Sequence, residues 1–138
     1  MKSLVDLVDR IRKAGRIYLI GNGGSYANAA HIANDLLEQG IKAYTLDAAV
    51  LTAWANDYGY ENIFVRWLQK VGEAGDLLIA LSGSGTSENI IRAVHAAEQI
   101  GMDVELVTDY LRTRDMQQSE EDQLVLGHDL MRALHDQG

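Results

Sequence analysis

The chain has 138 residues, with 12 lysines and arginines against 20 aspartates and glutamates, giving a formal charge of −8 at pH 7. This acidic balance argues against nucleic acid or an anionic membrane surface as the main partner, and the absence of cysteine excludes disulfides and thiolate metal sites. The length suits a single domain over residues 1–138, which we expect to self-associate. No signal sequence or membrane-spanning run is apparent, so a cytoplasmic location is expected.

Helices alternate with short apolar strands along the chain. A helix ending near Gly15 comes first, followed by a strand at 17–20, a helix at 25–39 capped by Ser25, and a second strand at 41–46. Helical segments at 48–55 and 63–71 flank a turn at 56–59. A third strand at 76–81, a helix at 87–101 and a fourth strand at 104–108 follow. A polar connection at 109–118 leads to a last helix at 119–135.

This alternation predicts an α/β fold with a doubly wound parallel sheet between two layers of helices. In such sheets, ligands bind at the carboxyl ends of the strands, where neighbouring connections leave toward opposite faces. With a strand order of 2-1-3-4, that crevice lies between the first and third strands.

Two loops rich in glycine and serine follow those same two strands. The first glycine loop, residues 21–25, reads Gly-Asn-Gly-Gly-Ser, and the second glycine loop, residues 82–87, reads Ser-Gly-Ser-Gly-Thr-Ser. Glycine allows close backbone approach, the first turn of a following helix presents free amides, and serine adds neutral donors. The two loops therefore predict a site for a small phosphorylated metabolite.

The two loops also admit other interpretations. The first loop alone could be an ordinary tight turn, and neither loop has the GxGxxG or Walker pattern of nucleotide sites. A dinucleotide site would have only Asp47 as the acid that binds the ribose. No nucleotide cofactor is expected.

The candidate groups for chemistry lie on two predicted helices. His31 and Asp35 are four residues apart on the second helix, and the last helix carries Glu120 or Glu121 followed by His128. Such side chains could transfer protons or hold a divalent metal, although a histidine with an acid at this spacing is more often an ordinary exposed pair. The two remaining histidines are expected to lie on the surface; they are His95 and His135.

Several of these features, in this order, resemble the sugar isomerase (SIS) domain, and within it the phosphoheptose isomerases. The resemblance rests on the first glycine loop, His31 with the acid at position 35, the Asn-Asp-Tyr-Gly run at 56–59, the Glu-Ala-Gly-Asp run at 73–76 and the second glycine loop. It covers residues 15–108 and resumes in the last helix. It implies a flavodoxin-like fold.

The resemblance also implies an activity and residue roles. Phosphoheptose isomerases convert sedoheptulose 7-phosphate to D-glycero-D-manno-heptose 7-phosphate through an enediol. Asp35 falls at the position of the family's base and His128 at its catalytic histidine. Zinc, where present, would be held by His31, Asp35, Glu120 and His128. The implied substrate-binding residues are Asn22, Gly23, Gly24, Ser25, Asn56, Asp57, Ser82, Gly83, Ser84, Ser87 and Glu120, with the four serines on the phosphate and Asn22, Asn56 and Asp57 on the sugar.

The chain departs from the family pattern at particular positions. Asp35 stands where the family has glutamate, and Glu120 where it typically has glutamine. Most of the N-terminal helical extension and the fifth-strand segment are absent, so we expect a shortened sheet whose fourth strand needs cover from another subunit or from the last helix.

Three functions stay open at this point. The first is a phosphoheptose isomerase that works as a tetramer or dimer. The second is a noncatalytic SIS module that senses a phosphosugar or serves as an oligomeric adaptor. The third is an isomerase of a different phosphosugar, because the loops indicate a phosphate more clearly than a sugar.

Overall fold

The structure, a computed structural model, describes residues 4–108 and 116–137. The strands are β1 (Ile17–Gly21), β2 (Ala43–Thr45), β3 (Leu77–Leu81) and β4 (Asp103–Leu106). The helices are α1 (Leu4–Lys13), α2 (Gly24–Glu38), α3 (Ala48–Tyr58), α4 (Ile63–Val71), α5 (Glu88–Ile100) and α6 (Met116–Gln137), with a short 3₁₀ turn at Tyr60–Asn62. None of the helices in these two ranges is both long and apolar enough to cross a membrane.

The four strands in the described part of the chain form one parallel sheet in the order β2-β1-β3-β4. This confirms the predicted fold class and strand order. β1 and β3 pair along their full length, from Ile17 opposite Leu77 to Gly21 opposite Leu81. Because Gly21 and Leu81 end their strands side by side, the two glycine loops begin at the same point of the sheet edge.

The sheet separates two hydrophobic cores, as the alternation of strand side chains requires. Ile17 and Leu19 of β1 face α1, α2 and α6, whereas Tyr18 and Ile20 face α3, α4 and α5. The fold is therefore the three-layer α/β arrangement predicted from the sequence.

The β4 edge of the sheet is covered in part by an arginine from α1. Arg10 forms a two-pronged ion pair with Asp103, at 2.7 and 3.0 Å, bonds the Glu105 carboxylate, and donates to the Val104 carbonyl at 2.8 Å. These bonds, first of all that to Asp103, raise the pKa of Arg10 above its ordinary value. Cover for the fourth strand thus comes from the first helix, a source that the sequence analysis did not consider.

Several element boundaries differ from the predictions. Ser25 is not the N-cap of α2: the helix begins at Gly24, and Gly23, with a φ of 56°, is the N-cap. β2 is limited to Ala43–Thr45, and α3 continues to Tyr58, through the predicted turn. α6 begins at Met116 rather than at 119. Residues 109–115 of the predicted polar connection lie outside the described residues.

Candidate functional site

The second glycine loop joins β3 to α5 and is held by its own serines. The Ser82 hydroxyl is buried and accepts from the Gly85 amide at 3.0 Å, and the Ser84 hydroxyl accepts from the Thr86 amide at 3.2 Å. Gly85 has a φ of 70°, a conformation that glycine adopts without strain. Ser84 is exposed, Gly83 is half-buried, and the loop leads directly into the first turn of α5.

Ser87 is the N-cap residue of α5, but its side chain does not bond the first turn of the helix. The Ser87 hydroxyl and the first backbone amides of α5 are therefore not hydrogen-bonded to each other. Together with exposed Ser84, they are donors that a phosphate at this end of the sheet can engage.

The first glycine loop is tied to α6. The Ser25 side chain is only 3% exposed, and its hydroxyl accepts a bond of 3.0 Å from the Gln123 amide. Asn28 donates to the Gln123 side-chain oxygen at 3.0 Å and to the Glu120 carbonyl at 2.8 Å. Ser25, a predicted phosphate ligand, thus already has a protein partner on one acceptor site, while its hydroxyl proton remains able to donate to a phosphate.

Glu120 places its carboxylate against the backbone at the start of α2. A Cβ at Gly24 would lie 1.1 Å from the Glu120 Oε2 atom, so any other residue there would require the Glu120 side chain to move. Gly23 and Gly24 are both exposed at the mouth of the loop. The positive end of the helix dipole lies at the N-terminus of α2, so the negative charge of the Glu120 carboxylate is electrostatically favourable in this position.

Asn22 of the first loop contacts α5 and the 3₁₀ turn. Its side-chain amide and that of Asn89 exchange two hydrogen bonds of 2.9 Å, and the Tyr60 hydroxyl donates to the Asn22 oxygen at 2.6 Å. Asn89 is 3% exposed. These bonds join the first glycine loop to the first turn of α5, which directly follows the second glycine loop.

Asn56 and Asp57 lie exposed on the last turn of α3 rather than in a turn. The Asn56 amide donates to the Asp57 carboxylate at 3.2 Å. Within the described residues, neither side chain bonds either glycine loop.

Beside this region, burial raises the pKa of the Tyr26 phenol, and the nearby Asp47 carboxylate adds to the effect. The Tyr26 hydroxyl donates to the Leu46 carbonyl at 2.6 Å. This bond fixes the first turn of α2 against the chain that leaves β2. Asp47, the only acid considered for a nucleotide ribose, is the N-cap of α3, where its carboxylate accepts from the Ala49 amide.

His31, Asp35 and His128 come together where α2 and α6 run side by side. The His31 Nε2 lies 3.3 Å from the Asp35 Oδ2, with side-chain exposures of 50% and 27%, and the rings of His31 and His128 are edge to face at 5.8 Å. His128 is exposed. The described residues contain no group of three histidine, aspartate or glutamate side chains arranged to hold a metal ion. His95 and His135 are exposed, as predicted.

The sequence analysis missed three polar residues that hold these loops, namely Tyr60, Asn89 and Gln123. Gln123 is fully buried, and a signal for it existed: with Leu130 and Leu134 it falls on the apolar face of α6, where a glutamine must find a polar partner. Asn89 offered a similar signal, since it lies one turn before the apolar, buried Ala93 on the same face of α5.

Comparisons with known proteins agree with this architecture. The model of the SIS domain family matches residues 2–108. The phosphoheptose isomerase of Leptospira biflexa serovar Patoc is 47% identical over 111 residues, which cover 73% of this chain and 57% of that protein. The chain spans little more than half the length of the curated relatives it matches, 57% and 53% in two cases.

Solved structures of the same kind superimpose on nearly the whole chain. The phosphoheptose isomerase from Neisseria gonorrhoeae has a TM-score of 0.83 at 28% identity and covers 96% of this chain and 83% of its own. That from Francisella tularensis has a TM-score of 0.87 at 25% identity, with coverages of 98% and 85%. By its sequence match and its fold, the chain belongs to the SIS domain family.

Proposed function

We propose that this chain is a phosphoheptose isomerase, which converts sedoheptulose 7-phosphate to D-glycero-D-manno-heptose 7-phosphate through an enediol. The observation that carries the proposal is the pair of glycine loops at the ends of adjacent strands β1 and β3, with a histidine and carboxylate cluster on the helix that follows the first loop. The curated relatives and solved structures named above, at 47% and 28% identity, support the same activity.

In this proposal the second glycine loop binds the phosphate. The net charge of −8 means that local donors must attract the anion. Ser84, Ser87 and the first amides of α5 supply neutral donors and the positive end of the helix dipole. Ser82 contributes by shaping the loop, because its hydroxyl accepts from the Gly85 amide.

Asp35 and His128 perform the proton transfers. An aldose–ketose isomerisation needs one group to take a proton from carbon and another to move protons between the two oxygens. The Asp35 carboxylate is the base, held by His31 at 3.3 Å, and His128 is the group that serves the oxygens. A general acid or base of this kind contributes on the order of 10² to 10⁴ in rate.

A zinc ion is part of the proposal, with His31, Asp35, Glu120 and His128 as its ligands. The donor set of imidazole nitrogen and carboxylate oxygen suits zinc, and His31 contacts both Asp35 and His128, but among the described residues no three of these side chains are arranged around one metal position. Glu120 must leave its position against Gly24 to join them. Bound zinc would polarise the carbonyl and enediolate oxygens.

The proposal also includes a homo-oligomer in the cytoplasm. Asp35 follows Ser25 by ten residues on α2, a separation of about 15 Å along the helix axis. A phosphate at the loops and a sugar carbon at Asp35 of the same chain are therefore far apart. A dimer or tetramer could complete each site with residues of two subunits.

The test is proton NMR of sedoheptulose 7-phosphate with the protein in deuterated water, with and without added zinc. The enediol exchanges the carbon-bound proton with solvent, so we expect deuterium at that carbon and a new heptose phosphate. His128→Ala should abolish both while leaving binding intact, and Ser84→Ala should weaken binding. Saturable binding without exchange in the unmodified protein would contradict the isomerase.

A noncatalytic phosphosugar-binding module is the second candidate. One observation favours it: Asp35 is one methylene shorter than the family's glutamate, so a base at this position has less reach. Such a module would bind the sugar phosphate without exchange of its carbon-bound proton with solvent.

The third candidate is an isomerase of another phosphosugar. It would give proton exchange with a shorter sugar phosphate but not with sedoheptulose 7-phosphate.

A further inference from the structure

The side chains of Asn22 and Asn89 form a reciprocal amide pair between the two glycine loops. Asn22 immediately follows β1, and Asn89 is the second residue of α5, just after the second glycine loop. Each amide nitrogen donates to the oxygen of the other at 2.9 Å. The backbone pairing of β1 with β3 ends at Gly21 and Leu81, so the amide pair continues the link beyond the sheet.

The pair uses most of the bonding capacity of Asn22. A side-chain amide has two acceptor sites and two donor hydrogens. The Asn22 oxygen accepts from both Asn89 and Tyr60, and one of its hydrogens goes to Asn89. One hydrogen of Asn22 therefore stays available to a sugar, and Asn89 fixes the direction in which it points.

Asn89 itself is inaccessible to a ligand. Its side chain is 3% exposed, among the first residues of α5, whereas Asn22 is half-buried at the loop surface. Any effect of Asn89 on a phosphosugar must therefore pass through the residues it holds. Because Asn89 also belongs to the first turn of α5, the pair fixes the first loop relative to the amides that face the phosphate.

We propose that Asn89 is a positioning residue for phosphosugar binding: through Asn22 it sets the separation and orientation of the two glycine loops. The inference rests on the proposed function in that the ligand is a phosphosugar. It does not require turnover. Tyr60 assists by holding the second acceptor site of Asn22, at 2.6 Å.

The experiment is a double-mutant cycle on binding. The Kd for sedoheptulose 7-phosphate is measured by calorimetry for the unmodified protein, Asn89→Ala, Asn22→Ala and the double variant, together with kcat and KM. We expect Asn89→Ala to raise Kd and KM about tenfold and to change kcat far less. The double variant should bind no worse than Asn22→Ala, because Asn89 acts through Asn22.

Ala93→Gly is the matched control. Ala93 is buried in the same helix, and glycine there lowers the stability of α5 without touching the amide pair. Its Kd should equal that of the unmodified protein. A rise in Kd equal to that of Asn89→Ala would mean that general weakening of α5 explains the effect, and would overturn the inference.

The remaining outcomes separate the two proposals. Unchanged Kd in Asn89→Ala, or losses that multiply in the double variant, would refute the positioning role while leaving the isomerase intact. Weakened binding in Asn89→Ala with no turnover by the unmodified protein would refute the isomerase and support the positioning role. If the unmodified protein bound no sedoheptulose 7-phosphate, both would fail.

Discussion

At the scale of single residues, Asp35 is the position on which the proposed chemistry depends most. Its carboxylate lies 3.3 Å from the His31 imidazole on the same face of α2, and it stands where the resembling family has glutamate. Shortening a base by one methylene moves it by about 1 Å, and a shift of that size can cost on the order of a hundredfold in rate. Substitutions at Asp35 therefore test both whether its carboxylate is the base and whether the length of its side chain limits the rate.

Asp35→Asn should lower kcat at least about 100-fold with little change in KM, because the amide cannot accept a proton from carbon. Asp35→Glu should raise kcat above that of the unmodified protein, since it restores the longer reach. The measurement is steady-state kinetics with sedoheptulose 7-phosphate. Asp129→Asn, which removes a carboxylate next to His128 that pairs with Arg132, is the control and should change neither constant. An active Asp35→Asn variant would exclude Asp35 as the base.

At the scale of elements, the contact between α2 and α6 decides where His128 lies. Gly127 allows this contact: a Cβ at residue 127 would lie 2.7 Å from the Ile32 Cγ1 atom and 3.0 Å from its Cδ1. One turn earlier, the buried Gln123 bonds Ser25 and Asn28 across the same helix pair. A close apolar approach and a polar link together set the position of the two helices.

Gly127→Ala is informative because the sign of the change in unfolding free energy shows whether helix propensity or packing against α2 dominates at this position. Alanine normally stabilises a helix interior by about 0.5–1 kcal/mol relative to glycine, but here it would overpack the interface and cost about 1–3 kcal/mol. We expect destabilisation, measured by urea unfolding. Combining it with Ile32→Ala, which removes the contacting atoms, should reduce the added cost of alanine at 127. A more stable Gly127→Ala variant would show that the helices have room to spare.

The same elements show how far the sequence could be used for prediction. Strand order and the pairing of the two glycine loops followed from apolar runs and glycine positions, which are local signals. The N-cap of α2 was predicted at Ser25 but lies at Gly23, and the serine hydroxyl binds Gln123 on a distant helix. Such partners depend on which helix faces meet. No local pattern specifies them.

At the scale of the whole molecule, the sheet and the helices separate two parts of the candidate site. The loops lie at the carboxyl ends of β1 and β3, whereas the cluster of His31, Asp35 and His128 lies farther along α2. A single chain must bridge about 15 Å between Ser25 and Asp35 along the helix axis. Sites shared between two subunits would bring the phosphate loop of one chain to the acid–base cluster of another.

Mixing two impaired variants tests this arrangement directly. His128→Ala removes the proton-transfer group and should be inactive alone, whereas Ser84→Ala removes a loop donor and alone should turn over sugar far more slowly than the unmodified protein at concentrations well below its raised KM. In a co-expressed mixture of dimers with shared sites, half of the sites in each mixed dimer combine an intact Ser84 with an intact His128. Random assembly should then restore about a quarter of the original rate. If each site belonged to one chain, every site would keep one defect, and the mixture would show no more than the residual rate of its Ser84→Ala component.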